Sequence, residues 1–207
     1  MDHSQQLLDY AARMVAPRAQ GRMQFVAGDL RALPFPDDAF DAAFIGNCLA
    51  YANNRLELLA ELRRVTRPGG RVAAKDYDGA VLVCHPLDPA LTARVLAATA
   101  TRLSADGATA ELDNFVGRKL PSMLRQAGLA DVRIASYAVQ KTAPLAPEEH
   151  RYLKATADWY AEVASPHLAT EDLQRWRAAF DPQDQRCILN HPDFYVCMLE
   201  MVATGLA

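Results

Sequence analysis

The chain has 207 residues, of which 51% are hydrophobic, and its formal net charge is −3. This length predicts one domain, or one domain with an insertion, that can bury a substantial core. The slightly acidic balance argues against an electrostatic nucleic-acid binder and against a polybasic membrane-surface protein. No apolar run approaches the length of a membrane span.

The first residues and the cysteines indicate a cytosolic protein. The sequence begins MDHSQQ, without the basic and apolar regions of a secretory signal. The four cysteines show neither CxxC nor zinc-ligand spacing, so we expect no metal site. They are Cys48, Cys84, Cys187 and Cys197. Unpaired cysteines in such a chain are typical of reduced thiols in the cytoplasm.

A first helix is predicted over residues 4–15, where apolar residues recur at helical spacing. Ser4 is a suitable N-cap, and Pro17 is expected to end the helix. Asp2 lies directly before it, where a carboxylate favours the positive end of the helix dipole. The apolar positions are Leu7, Leu8, Ala11, Met14 and Val15.

Two buried strands are predicted next, over residues 23–28 and 40–49. The first has β-branched and aromatic residues and ends at Asp29. The second is almost continuously apolar, which is typical of a strand covered on both faces. The carboxyl ends of such strands form ligand clefts in α/β proteins.

The remaining elements alternate between helices and strands. Helices are predicted over residues 55–66, 89–103, 114–127, 148–163 and 170–180, and strands over 71–77, 132–141 and 193–205. Pro68 stops the first of these helices, and Gly69 suits a left-handed position beyond its end. Asp88 is a candidate cap for the next helix.

Polar residues at the end of the strand 71–77 are candidates for chemistry. Asp76 and Tyr77 are placed to orient a substrate hydroxyl, or one of them to act as general base. The alternative is that they are ordinary turn residues at a strand end. His85 is a third catalytic candidate near the same region, and His191 is a further candidate near the acceptor.

Several motifs together resemble class I S-adenosylmethionine-dependent methyltransferases of the small-molecule, type-11-like kind. The resemblance covers residues 2–79 well and the rest in outline. The motifs are Gly28-Asp29-Leu30, Leu33-Pro34-Phe35-Pro36-Asp37, Phe40-Asp41 and Arg67-Pro68-Gly69-Gly70. The resemblance implies an α/β Rossmann-like fold, with a mostly parallel sheet and an antiparallel last strand.

The resemblance also implies cofactor-binding residues for S-adenosylmethionine. Asp2 corresponds to the acidic residue that binds the two ribose hydroxyls. In the turn that starts at Gly28, Asp29 would accept from the adenine amino group and Leu30 would pack on the ring. Asn47 and Tyr51, at the end of the second strand, would touch cofactor or substrate. A solvated turn aspartate is the alternative for Asp29.

One part of the family pattern has no counterpart in this sequence. The first strand, its glycine-rich turn and the first helix are missing, and no two of the ten glycines are spaced as G-x-G. Three hypotheses account for this. The sequence lacks its true N-terminus, another chain fills the sheet edge beside residues 40–49, or the scaffold has lost cofactor binding and kept its substrate pocket.

The expected domain organisation is a single methyltransferase-like domain over residues 1–207. It would comprise a shortened nucleotide-binding half (1–81), helical insertions over the cleft (82–115 and 144–192) and further sheet elements (116–143 and 193–207).

The leading functional hypothesis is a small-molecule methyltransferase that binds neither nucleic acid nor membrane. One alternative is a cofactor-independent cyclase or isomerase on the same scaffold. Another is a non-catalytic subunit that completes its sheet with a second copy or a different chain. Fold alone does not separate these functions.

Overall fold

The computed structural model describes residues 1–19, 22–105 and 112–207, and it shows an α/β architecture. Residues 106–111, part of the predicted insertion 82–115, lie outside the described residues. The elements in chain order are α1 (Gln5–Ala19), β1 (Phe40–Gly46), α2 (Arg55–Val65), β2 (Thr66–His85), α3 (Pro89–Ala105), α4 (Leu120–Gln126), β3 (Ala130–Thr142), α5 (Pro147–Ala164), α6 (Thr170–Phe180) and β4 (Tyr195–Leu206).

The four strands form one mixed sheet in the order β1-β2-β4-β3. β1 and β2 are parallel, joined by the crossover helix α2, while β4 is antiparallel to both of its neighbours. Three strands therefore run one way and the last strand runs the other way. This confirms the predicted Rossmann-like fold class with an antiparallel last strand.

One hydrophobic cluster lies between the sheet and the helices α2 and α4. The apolar stripe of α2 is buried as its spacing predicts, with Leu59 fully inaccessible. It packs with Leu124 of α4 against sheet residues such as Val72 and Ala203. We call this the sheet cluster.

A second hydrophobic cluster joins α3, α5 and α6 into what we call the cap. Trp176 and Phe180 of α6 pack with Leu91 of α3 and reach the strands at Cys84 and Val196. The indole Nε1 of Trp176 donates to the carbonyl of Ala157 at 2.9 Å. Helices from both predicted insertions thus share one core.

β2 is longer than predicted and contains a bulge. Tyr77 pairs with Glu200 of β4, but the next pair is Leu82 with Met198. Residues 78–81 therefore oppose Leu199 alone. An irregularity of this kind re-aims side chains, and it allows one strand to run from the sheet cluster to the cap.

The predicted buried strand over residues 23–28 is wrong. In the structure this segment makes one isolated bridge, between Ala27 and Asp2, and Met23 is 53% exposed. A strand needs a continuous ladder of partners to pair its backbone groups, and the described residues supply only Asp2.

β1 is shorter and more exposed than predicted. It ends at Gly46, and residues Leu49–Tyr51 form a 3-10 turn. Its outward face carries Phe44, which is 65% exposed, so the expectation of burial on both faces is wrong. Among the described residues β1 pairs only with β2, and helices cover only the face that carries Ile45.

Two helix boundaries also differ from the sequence predictions. The Ser4 hydroxyl accepts the N–H of Leu7, as predicted for an N-cap, but α1 continues past Pro17 to Ala19. A proline removes one backbone donor and does not always end a helix. α4 begins only at Leu120, because Asp113 forms a side-chain turn with the N–H of Phe115 instead of a helix start.

All four cysteines are free thiols. Burial raises the pKa of the Cys84 thiol to about 12. Burial, followed by the charge of Asp76, also raises the pKa of Cys48, so neither thiol is prepared as a nucleophile. Separately, none of the described helices combines the length and the apolar character needed to cross a membrane.

The buried stripe of α2 gives a stability prediction with an internal control. We expect Leu59→Ala to lower the free energy of unfolding by about 2–5 kcal/mol, because it leaves a cavity in the sheet cluster. Leu56→Ala, on the exposed side of the same helix, should change it by less than about 1 kcal/mol. Urea unfolding monitored by circular dichroism measures both, and equal effects would contradict the assigned packing.

Candidate functional site

The candidate site lies where β1 ends and β2 reaches its bulge. The turn after β1 is held in place by two backbone contacts at Ala50. Its N–H donates to Oδ2 of Asp76 at 3.1 Å, and its carbonyl accepts from the N–H of Asp113 at 2.8 Å. The Arg55 side chain adds a bond from Nε to the carbonyl of Leu49 at 2.7 Å. Three separate segments therefore meet at this point.

Asp76 is completely buried at the junction of these segments. One carboxylate oxygen accepts from Ala50 and the other from its neighbour Tyr77. Burial raises the pKa of Asp76, although both backbone bonds oppose the shift. The carboxyl group thus ties the middle of β2, just before the bulge, to the turn after β1.

Tyr77 and Tyr51 are brought together, although they are 26 positions apart in the sequence. Burial raises the pKa of the half-buried Tyr77, and the neighbouring Tyr51 hydroxyl raises it further. Tyr51 itself is 62% exposed. The site therefore presents a phenol that stays protonated near neutral pH, next to a second, solvent-accessible phenol.

The bulge contains an ion pair that the sequence analysis missed. Asp78 is buried and accepts two bonds from Arg118, at 2.5 Å from Nε and 2.7 Å from Nη2. The Arg118 guanidinium also lies 5.7 Å from the ring centre of Phe115. The partners are 40 residues apart, so no local pattern could have indicated the pair.

The two candidate histidines lie away from Tyr77. His85 pairs with Tyr195 of β4, whereas Tyr77 pairs with Glu200. Five residues of antiparallel strand separate these positions, which corresponds to about 17 Å. His85 therefore does not lie beside Tyr77, because β2 continues past its bulge into the cap. His191 lies before β4, where its Nδ1 accepts the N–H of Asp193.

A separate cavity of about 470 Å³ adjoins the segment that carries the family motif. This volume is in the range of small-molecule sites. Its lining combines two leucines with polar groups: His3, Gly28, Asp29, Leu30, Arg31, Asn54 and Leu58. Asp29 thus faces a cavity, as the cofactor hypothesis requires.

The Asp29 carboxylate is fixed by its neighbour Arg31. The guanidinium binds both oxygens at 2.6–3.0 Å, and the Arg31 N–H donates to Oδ1 at 2.8 Å. These bonds, the side-chain one foremost, lower the pKa of Asp29 to about 2. Asp29 is therefore an ionised, oriented acceptor at the wall of the cavity.

Asp2 adjoins this region through Gly28, but neither Asp2 nor Asn47 lines the cavity. The Asp2 carbonyl accepts the N–H of Gly28 at 3.1 Å, and its carboxylate accepts the N–H of Ser4 at 2.8 Å. Asn47 has a φ of 54°, and its side-chain oxygen accepts from Lys75 at 3.1 Å. Tyr51 likewise lies outside the lining residues of the cavity.

The lining of the cavity fits the adenosine part of S-adenosylmethionine. Leu30 and Leu58 offer apolar surface for a purine ring, and the Asp29 carboxylate can accept from an amino group. Asp2 forms an isolated β-bridge with Ala27, the residue directly before Gly28.

Comparisons with known proteins confirm the resemblance found in the sequence. Residues 1–74 match the family model described as a methyltransferase domain. A protein from Bacillus halodurans that is assigned as a methyltransferase has a TM-score of 0.56 and 14% identity, covering 99% of this chain and 80% of that one. The YcgJ protein of Bacillus subtilis has a TM-score of 0.53, with 15% identity. The chain shares the α/β fold of these two solved structures.

Two curated relatives share part of the sequence. The demethylmenaquinone methyltransferase of Renibacterium salmoninarum is 40% identical over 72 residues, which is 34% of this chain and 30% of that protein. The enzyme of the same name from Geobacillus kaustophilus is 29% identical over 146 residues, or 66% of this chain and 62% of that protein. The matched part thus spans less than two thirds of either relative.

The buried Asp76 carboxyl predicts a specific pH dependence of stability. Its folded pKa lies above the ordinary value of 3.8, so the folded state binds its proton more tightly than the unfolded state does. Its stabilising contribution is complete below pH 3.8 and is lost as the pH rises through the folded pKa. The loss amounts to about 1.4 kcal/mol for each pH unit between the two values.

Comparison of the wild type with Asp76→Asn isolates this contribution. Relative to Asp76→Asn, the wild type should lose unfolding free energy as the pH rises from 3.5 to 7. Urea titrations at several pH values measure this difference. Asp38→Asn, at an exposed position with φ of 58° that asparagine tolerates, is the control. A difference for Asp76→Asn that does not change with pH would contradict the assigned effect of burial.

Proposed function

We propose that this protein is an S-adenosylmethionine-dependent methyltransferase acting on a small molecule. The observation that supports this most is the cavity lined by Gly28, Asp29 and Leu30. In a methyltransferase fold these residues match the motif that binds adenosine, and they carry the carboxylate and the apolar surface that binding requires. The neighbouring phenols of Tyr51 and Tyr77 form the proposed acceptor region.

Each cofactor-binding residue has a distinct proposed role. Asp29 accepts from the adenine amino group, Leu30 packs on the ring, and Gly28 allows the backbone to lie close. Asp2 binds the ribose hydroxyls, while Asn47 and Tyr51 lie toward the reacting end. When bound, S-adenosylmethionine supplies an electrophilic methyl group on its sulfonium.

In this proposal the two phenols orient the acceptor, and no charged base does so. A phenol is protonated at neutral pH, and burial raises the pKa of Tyr77 further, so its hydroxyl is available to donate to an acceptor oxygen. Asp76 holds the part of β2 that carries Tyr77, just before the bulge. Fixing the acceptor in line with the transferable methyl accounts for much of the acceleration in reactions of this type.

The relatives indicate which acceptor to test first. Both carry the name demethylmenaquinone methyltransferase, and a quinol ring offers hydroxyl oxygens to Tyr77 and Tyr51. We therefore propose a demethylmenaquinol as the first acceptor to be assayed. The free thiols are consistent with the cytoplasmic location that we propose for the protein.

We also propose that the outer edge of β1 is covered by a strand from another chain or a second copy. The edge carries the exposed Phe44 and contains neither proline nor lysine, the residues that usually protect such edges. Light scattering of the purified protein, with mass spectrometry of copurified chains, tests this. A monomer at all concentrations without a copurified chain would contradict it.

Calorimetric titration with S-adenosylhomocysteine tests the cofactor site directly. We expect saturable binding to the wild type. Asp29→Ala should weaken it roughly tenfold, or about 1.4 kcal/mol, because one charged acceptor is lost.

Asp184→Ala is the matched control for this titration. Asp184 accepts the N–H and the guanidinium of Arg186 in the same arrangement as Asp29 and Arg31, but in the loop between α6 and β4. It should leave the affinity unchanged. No binding to the folded wild type, or an equal loss in both variants, would count against the proposed cofactor site.

A further inference from the structure

A polar contact joins the cap to the bulge of β2 at Gly79. The N–H of Gly79 donates to the backbone carbonyl of Asn114 at 2.8 Å. The carbonyl of Gly79 accepts from the hydroxyl of Tyr160, on cap helix α5, at 3.3 Å. Both partner residues are buried, Asn114 at 1% exposure and Tyr160 at 7%. One glycine therefore connects three segments.

The side chain of Asn114 lies directly against Gly79. A Cβ added to Gly79 would be 1.9 Å from Nδ2 of Asn114 and 2.4 Å from its Cγ. No residue larger than glycine fits unless the amide moves away. The close approach thus fixes the position of the Asn114 amide next to the strand end.

Among the residues that the structure describes, the buried Asn114 amide nitrogen has no hydrogen-bond partner. An unpaired buried donor is costly, and such groups in folded proteins usually serve a further purpose. The polar group next to it is the Tyr160 hydroxyl. Burial raises the pKa of Tyr160, and the Asn114 amide opposes that shift.

The Tyr160 ring contacts the aromatic core of the cap. Its ring lies 5.0 Å from that of Trp159 and 6.1 Å from that of Trp176, both edge-on. Trp176 in turn packs on Phe180 at 4.9 Å. A shift of the Tyr160 side chain would therefore move the neighbouring rings of the two tryptophans and Phe180.

We propose that Asn114 is a positioning residue of the acceptor site: its carbonyl and its side chain hold Gly79 in place, and the Gly79 carbonyl receives the Tyr160 hydroxyl, so that the cap is set beside the part of β2 that carries Tyr77. Asn114 acts through Gly79 and Tyr160 and does not touch the substrate. This inference rests on the proposed methyltransferase function, since it takes the acceptor to bind beside Tyr77.

A double-mutant cycle tests the pairing without any substrate. Asn114→Ala and Tyr160→Phe are made singly and together, and urea unfolding is measured for each. The two changes should be non-additive by about fivefold in the unfolding equilibrium constant, as for neighbouring groups that interact. Asn114→Ala with Tyr152→Phe, at the exposed tyrosine of the same helix, should be additive. An additive Asn114–Tyr160 pair would overturn the proposal.

Gly79→Ala provides an independent structural measurement. The added methyl should displace the Asn114 amide and change the near-ultraviolet circular dichroism, because Trp159 and Trp176 both flank Tyr160. The protein has only these two tryptophans. An unchanged tryptophan signal in a folded variant would contradict the transmission through Tyr160.

Methyl-transfer kinetics with a demethylmenaquinol separate positioning from simple stabilisation. Asn114→Ala should raise the KM for the acceptor about tenfold and leave the KM for S-adenosylmethionine within twofold. Equal changes in both KM values, or none, would overturn the positioning role. An inactive wild type would instead contradict the proposed function, while the mutant cycle still decides the pairing.

Discussion

The β2 strand has to serve two hydrophobic clusters, and the rest of the molecule depends on how it does so. Its first half packs in the sheet cluster through Val72 and Ala74, and its second half packs under the cap through Cys84. The change of register at residues 78–81 lies between them. Because the bulge interrupts the ladder, its backbone groups become available to Asn114 and Tyr160. The bulge thus provides both the continuity of the fold and the polar groups of the site.

Local patterns in the sequence were sufficient for much of the fold. The buried stripe of α2 and the extent of α6 were predicted correctly, since each depends on periodicity or on a nearby stop signal. The antiparallel last strand, which the family resemblance implied, was also correct. Gly69 has the expected positive φ of 75°. For the candidate site, the motif at Gly28–Leu30 was sufficient to locate a cavity, because all three residues are adjacent in the chain. Cofactor binding in that cavity stays a prediction.

The features that sequence analysis missed depend on partners distant in the chain. An apolar run such as residues 40–46 shows that a strand can be buried, but not how many neighbours will cover it, and Phe44 is exposed. The pairing of Asp78 with Arg118 has no local signature. The position of His85 depends on where β2 stops, and apolar residues beyond the bulge carry the strand into the cap.

The separation of the two clusters has a consequence for how this scaffold diversifies. The cap has an aromatic core of its own, built around Trp176, and it meets the sheet mainly where β2 and β4 leave the sheet cluster. Substitutions within that aromatic core can change the shape of the cap while α2 and α4 keep their packing. The surface of the cap can thus change without a redesign of the sheet cluster.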